Sequence, residues 1–160
     1  MAIKEGDKIP SVTLKHMSAD GMADISTDEL FGGKKVVVFS LPGAFTPTCS
    51  AKHLPGFVQN ADALKGKGVD TIACVSVNDA FVMNAWGKDQ NVGDKVMMLA
   101  DGNAEFSDAV GLSFDGSGFG MGKRAQRYAM VVEDGVVTAL NVEPGGDFKV
   151  SSAESVLAAL

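Results

Sequence analysis

The chain has 160 residues, 46% of them apolar and 21% charged, the proportions of an ordinary globular domain able to bury one core. Twenty acidic against fourteen basic residues give a formal net charge of −6, which argues against nucleic acid or an anionic membrane surface held by bulk charge. Two cysteines are too few for a disulfide scaffold.

No stretch approaches the roughly 20 apolar residues of a membrane span, and the opening MAIKEGDKIP lacks the basic-then-apolar pattern of a secretory signal. The expected location is cytoplasmic and thiol-reducing, or an organelle if a transit peptide was removed ahead of Met1. No repeat or linker divides the chain, so residues 1–160 are expected to form a single domain.

In chain order, Ser11–His16 and Ala23–Ser26 predict a small N-terminal hairpin. Ser26 and Glu29 form a capping box ahead of Leu30-Phe31, and Gly32-Gly33 end that short helix. Lys35–Leu41, Val69–Val77, Val96–Ala100, Tyr128–Glu133 and Val136–Val142 are mainly apolar runs of strand length, bounded by Gly, Asp or Asn. Asn78 or Asp79 can cap a helix over Ala80–Gly87, with Phe81, Ala85 and Trp86 as its apolar face. Asn103–Val110 predicts another short helix. Asp134-Gly135 between the last two strands is a hairpin signal. Ser151 and Glu154 repeat the capping box before a final helix, Ser152–Leu160. Strands alternating with helices, then a hairpin and a closing helix, predict an α/β layered domain around a mixed sheet.

The chemistry is concentrated in Val36–Phe57, VVVFSLPGAFTPTCSAKHLPGF. A buried strand runs into a Pro-Gly loop and then Thr46-Pro47-Thr48-Cys49. Thr46 suits an N-cap and Pro47 the first helical position, so Cys49 falls third in the helix. Free N–H groups and the positive end of the helix dipole favour a thiolate there, as in reactive cysteines. The alternative is a small buried apolar residue beside a cap.

The run Pro42-Gly43-Ala44-Phe45-Thr46-Pro47-Thr48-Cys49 resembles the active-site motif of the peroxiredoxins, Pro-x-x-x-Thr-x-x-Cys. PGAFTPTCS followed by HLPGF is similar to the type II, peroxiredoxin-5-like branch. So are Val75-Ser76-Val77-Asn78-Asp79-Ala80-Phe81-Val82, Ala85-Trp86-Gly87 and Ala139-Leu140-Asn141-Val142-Glu143, and the likeness covers nearly the whole chain. The resemblance implies a thioredoxin-like fold, a central mixed β-sheet flanked by helices, and a non-covalent homodimer. It also implies a thiol-dependent peroxidase for hydrogen peroxide and organic hydroperoxides, acting in antioxidant defence without a cofactor. Cys49 would be the nucleophile and become a sulfenic acid. Thr46 would hydrogen-bond thiolate and peroxide, Pro42 would shield the sulfur, and Arg127, just before Tyr128-Ala129-Met130-Val131, would supply positive charge.

Other residues carry competing readings. Arg127 lies in Lys123-Arg124-Ala125-Gln126-Arg127, which read without the resemblance is an exposed basic cluster, and Arg124 is the second choice for the cation. Cys74, inside an apolar strand, is either an inert core thiol or, as in some type II relatives, a resolving cysteine. The C-terminal stretch Lys149-Val150-Ser151-Ser152, where other relatives carry a resolving cysteine, has none. Recycling is therefore expected from glutaredoxin with glutathione, or from thioredoxin. His53, four residues after Cys49, can share its helix face, with a positioning or packing role. Two such side chains fall short of a metal site, so no metal is expected. Pro55 implies a kink. Gly116–Gly122 lacks G-x-G-x-x-G spacing and reads as a mobile loop. The rival functions are a disulfide exchanger, which would want C-x-x-C where this chain has Cys49-Ser50-Ala51-Lys52, a redox sensor, and an inert binding module.

Overall fold

The computed structural model describes residues 2–145 and 147–160. The chain opens with the hairpin β1 (Thr13–Ser18) and β2 (Gly21–Ser26), a short helix α1 (Thr27–Phe31) and the strand β3 (Lys35–Ser40). A π-helical turn, Cys49–His53, leads into α2 (Leu54–Gln59) and α3 (Ala61–Gly66). Next come β4 (Thr71–Ser76), α4 (Ala80–Asp89), β5 (Met97–Ala100) and α5 (Glu105–Ala109). Two three-residue strands, β6 (Ser113–Asp115) and β7 (Lys123–Ala125), precede the hairpin β8 (Tyr128–Glu133) and β9 (Val136–Val142) and the last helix, α6 (Ala153–Ala159).

Among the described residues, seven strands form one sheet in the order β2-β1-β5-β4-β3-β8-β9. Its centre, β5-β4-β3, is parallel, and antiparallel strands flank it on both sides. This is the mixed sheet expected from strands separated by helices and closed by a hairpin. The period of two sorts its side chains. Val37, Phe39, Ile72, Cys74, Ala129 and Val131 pack with α2, α3, α4 and α6 on one face. Val36, Val38, Ala73, Val75, Met130 and Val132 pack with α1 and α5 on the other. The Asp134-Gly135 turn has positive φ at both positions, 48° and 79°, as a tight two-residue hairpin demands.

The Ser26 cap of α1 forms, with Ser26 Oγ accepting from the Glu29 N–H. The final helix is capped by Ser152, whose Oγ accepts from the Ser155 N–H, and not by Ser151, which is buried and bonded elsewhere. Asp79 caps α4, but Phe81 is 62% exposed. The buried stripe of α4 is Ala80, Met83, Trp86 and Gly87. The Asn103–Val110 helix starts late, after Ala104 at φ 60°, because the Asp101 carboxylate accepts the first free N–H groups, those of Phe106 and Ser107. The glycine-rich stretch forms an ordered turn between β6 and β7, closed by Gly116 N–H to Gly122 O at 2.6 Å. No helix of the described residues is long and apolar enough to cross a membrane.

Candidate active site

The parallel arrangement of β3 and β4 brings their C-terminal ends to one edge, where the Pro42–Thr46 loop leaves β3. Three hydrogen bonds that involve side chains shape this loop among the described residues. Asn78 Oδ1 accepts from the Ala44 N–H at 2.9 Å, Thr46 Oγ1 donates to Gly43 O at 2.7 Å, and Arg124 Nη1 donates to Pro42 O at 3.2 Å. Asn78, one of two candidate caps for α4, thus holds the loop and leaves capping to Asp79. Phe45 takes a left-handed conformation at φ 64° and lies exposed, its ring 6.3 Å from that of Trp86.

The helix begins at Pro47, as the cap pattern implies, with Ser50 N–H donating to Thr46 O, and Cys49 is its third residue. It then widens, with the Leu54 N–H donating to Cys49 O five residues back. Pro55 supplies the reason. It has no N–H for the carbonyl of Ala51, and a π turn accommodates that missing rung. The kink expected at Pro55 is therefore a π turn that starts at Cys49. It leaves Cys49 and His53 both buried, facing the hairpin β8-β9.

Arg127 arrives by a different route. Antiparallel pairing sets Ser40 opposite Tyr128, so the residue before β8 lies beside the loop that follows β3. The Arg127 side chain is buried, with Nη2 donating to Cys49 Sγ at 3.1 Å and Nη1 to His53 Nδ1 at 2.8 Å. A guanidinium can only donate, so Nδ1 is the acceptor and the ring hydrogen sits on Nε2, which donates to Ser151 O at 3.0 Å. Burial first, then the charge of Arg127, lowers His53 from 6.5 to about 3, and the ring is neutral. Aromatic rings enclose it: Phe39 at 5.0 Å, Phe57 at 5.6 Å and Phe148 at 5.1 Å between centroids. Phe148 also faces the Arg127 guanidinium at 5.8 Å.

Behind this arrangement stands Glu143, which the sequence places at the end of the Ala139–Glu143 block without indicating a role. Its N–H donates to Arg127 O across the hairpin end. Its Oε2 accepts from the N–H groups of Lys149, Val150 and Ser151 and from the Ser151 hydroxyl, at 2.6–2.8 Å. Burial opposes the charge of this carboxylate, but the donors of Ser151, Lys149 and Val150 outweigh it and hold Glu143 below the usual carboxylate range. The carboxylate folds 149–151 into the loop whose carbonyl orients His53. Ser151 is thus drawn out of its expected capping role.

Arg127 makes no ion pair with a carboxylate among the described residues. A buried cation without an anion is costly, and the acidic group within its hydrogen-bond reach is the Cys49 thiol. Arg124, the second choice for the cation, does not reach the sulfur and binds the loop backbone instead. The basic cluster is not one solvated face: Lys123 is exposed, whereas Arg127 is buried. Cys74 lies mid-strand between Phe39 and Met98, fully buried, and burial above all pushes its thiol well up. No group of three His, Cys, Asp or Glu side chains placed to hold a metal occurs among the described residues.

The neutral His53 has a consequence for stability. Between pH 6.5 and about 3 the unfolded chain binds a proton that the folded ring refuses. Stability should therefore fall with pH by up to about 1.4 kcal/mol per unit across that window. Glu143, held low, adds a loss of the same sign only below the ordinary carboxylate range. Urea unfolding between pH 7 and pH 5 should show the slope, and His53→Gln should remove most of it. An unchanged slope in the variant would assign the loss to another group.

A cysteine kept from solvent yet paired to an unneutralised arginine, at the edge of a helix-flanked mixed sheet, places the molecule among thiol-based redox proteins of thioredoxin-like fold. Comparison with known proteins narrows the class. The Redoxin family model matches residues 4–157. Peroxiredoxin-2B of Arabidopsis thaliana is 48% identical, covering 99% of this chain and 98% of its own length. The chloroplastic peroxiredoxin-2E of the same plant is 50% identical, covering 99% and 70%. The crystal structure of reduced Prx3 from Vibrio vulnificus in complex with hydrogen peroxide superposes with a TM-score of 0.95 at 56% identity, covering 98% of both chains. The chain belongs to the peroxiredoxin family, in its type II, peroxiredoxin-5-like branch, and is a thiol peroxidase.

Proposed function

We propose that Cys49 is the peroxide-attacking residue of this peroxidase, and the observation that carries the assignment is the Arg127 Nη2–Sγ hydrogen bond at 3.1 Å. The Cys49 thiolate attacks one peroxide oxygen, the O–O bond breaks, and its electron pair leaves on the other oxygen. That oxygen takes a proton and departs as water or alcohol, while the sulfur becomes sulfenic acid. Arg127 holds the thiolate and faces the charge that develops at the oxygens. Because the single proton of the Thr46 hydroxyl is engaged by Gly43 O, its oxygen offers only lone pairs and accepts from the peroxide O–H. Pro42 forms the wall over the sulfur. His53, neutral and tied to Ser151, positions Arg127 without exchanging a proton.

Hydrogen peroxide and organic hydroperoxides are the proposed substrates. Support for the first is its complex with the Vibrio vulnificus relative. The sulfenic acid is recycled by an outside thiol: glutathione condenses with it, releasing water, and a glutaredoxin thiolate then removes the glutathione. Thioredoxin is the alternative donor. A buried, protonated Cys74 in a central strand would have to break out of its pairing with β3 and β5 to serve. The proposed assembly is a homodimer, supported by the aromatic side chains Phe45, Phe81 and Phe119, which are 53%, 62% and 81% exposed. Residues 1–160 are read as one domain. The location is the cytoplasm or a plastid, and the relatives include proteins named as chloroplastic.

The test is intact mass and thiol count after one equivalent of hydrogen peroxide, then turnover with glutathione plus glutaredoxin or with thioredoxin. We expect one oxygen on Cys49, a glutathione adduct, and Cys74→Ser that keeps most of the activity. A Cys49 that stays reduced would overturn the assignment. Loss of both thiols in the monomer would make Cys74 the resolving residue, and turnover with thioredoxin alone would replace the glutathione route.

A further inference from the structure

We propose that Arg124 is a positioning residue which, with the glycine-rich β6-β7 turn, clasps the Pro42–Thr46 loop over Cys49. The inference rests on Cys49 being the peroxide-attacking residue. Arg124 lies on β7 opposite Phe114, three residues before Arg127, and its half-buried side chain spans two segments far apart in sequence. Nε donates to Met121 O, at 3.0 Å, within the turn, and Nη1 donates to Pro42 O, at 3.2 Å, in the loop. Proline has no N–H, so the carbonyl is the only main-chain hydrogen-bonding group that Pro42 has. It is given to Arg124.

The contact is fitted on the loop side as well. A Cβ on Gly43 would lie 2.6 Å from Arg124 Nη1 and 3.3 Å from Thr46 Cγ2. The absence of a side chain at Gly43 is what lets the guanidinium reach the backbone. On the other side the turn is closed by Gly116 N–H to Gly122 O and by Met121 N–H to Gly116 O at 3.0 Å, which fixes the carbonyl that aims Nε. Arg124 has no carboxylate ion pair among the described residues, so its fork is free to bridge two carbonyls.

Asn78 secures the loop at Ala44 and Thr46 secures it to Gly43. Arg124 is the anchor at the Pro42 end, where the proposed wall over the sulfur stands. Loss of that anchor leaves the loop in place but lets the wall shift. A shift on the order of 1 Å in a reacting geometry can cost up to about a hundredfold, and a loop with two anchors left should lose about tenfold.

The experiment measures kcat/KM for hydrogen peroxide and the rate of Cys49 alkylation by iodoacetamide, in Arg124→Ala, Arg124→Lys, Gly43→Ala and the Gly43→Ala/Arg124→Ala double variant. Arg124→Ala should lose about tenfold in kcat/KM while alkylation becomes faster, because the sulfur is less covered. Gly43→Ala, which displaces the guanidinium, should act in the same direction, and the double variant should be no slower than the slower single one. Arg124→Lys keeps the charge but cannot bridge both carbonyls and should fall between Arg124→Ala and the unmodified protein.

Unaltered kinetics in Arg124→Ala, or in Arg124→Lys alone, would overturn the clasp. So would additive losses, which would mean that Gly43→Ala acts through Thr46. Alkylation that slows together with peroxide reduction would make Arg124 a charge acting on the thiolate instead. If Arg124→Ala does not fold, Gly43→Ala and Arg124→Lys decide by the same criteria. Cys49→Ser is the control for the underlying reading: peroxide turnover in that variant would sink it, whatever Arg124 does.

Discussion

Cys49→Ser should abolish peroxide reduction, by at least about four orders of magnitude in kcat/KM, as removal of a nucleophile does in other covalent enzymes. A serine hydroxyl is not ionised at neutral pH and attacks peroxide oxygen poorly, whereas the rest of the site is unaffected. The fold should persist, because the change is nearly isosteric and the serine oxygen can still accept from Arg127 Nη2. A neutral acceptor nevertheless replaces the proposed anion beside a buried cation, so a stability loss of about 1–3 kcal/mol is expected. Stopped-flow peroxide consumption with urea unfolding on the same samples checks both parts. Residual activity within tenfold of the unmodified protein would mean that the reacting thiol lies elsewhere.

Arg127→Gln carries the second large effect. Removal of one preorganised donor facing developing charge typically costs about 10²–10³ in rate. Here the same change also removes the partner of His53 Nδ1. A loss of about 10²–10³ in kcat/KM, with slower alkylation of Cys49 at neutral pH, is the expected pair of results. Arg127→Lys should recover little, because one ammonium cannot reproduce a planar fork that bonds Sγ and Nδ1 from two nitrogens. Slow peroxide reduction with undiminished alkylation would show that Arg127 acts on the oxygens and not on the thiolate. A variant as fast as the unmodified enzyme would remove Arg127 from the site.

These two residues also show how much of the site can be read without coordinates. Cys49 is visible because its chemistry is local: strand, Pro-Gly loop, cap and helix lie within 20 residues, and the motif they form is specific. Arg127 is legible only through the resemblance to a family, since on composition it belongs to a basic cluster. His53 is recognisable as a neighbour of Cys49, but what it does is not. Its role depends on Arg127 and on Ser151, 74 and 98 residues further along the chain.

The role of Glu143 is hidden in the sequence for a countable reason. A regular hairpin about Asp134-Gly135 pairs Glu133 with Val136 and Val132 with Val137, and continued unchanged it would set Arg127 opposite Val142. A bulge between Val131 and Val132 shifts the register by one residue, so that Tyr128 faces Val142 and Arg127 meets Glu143. An apolar run shows where a strand lies but not whether it carries an extra residue. The late start of α5, the cap at Ser152 and the exposure of Phe81 have a similar origin. In each case a polar or apolar side chain had more than one locally acceptable place, and distant neighbours decided among them.

The alternation of strands and helices, the Asp134-Gly135 hairpin, the position of Cys49 at the head of a helix and, through its resemblance, the family are all legible in the order of the amino acids. All of these rest on short-range periodicity, capping and turn chemistry. What surrounds the sulfur is set by long-range packing: the burial of Cys49 and His53 toward the β8-β9 hairpin, the chain of bonds from Glu143 through Ser151 and His53 to Arg127, and the reach of Arg124 to Pro42. Those contacts join residues as many as 98 positions apart. Sheet register and burial bring such pairs together, and neither is written in the neighbouring residues.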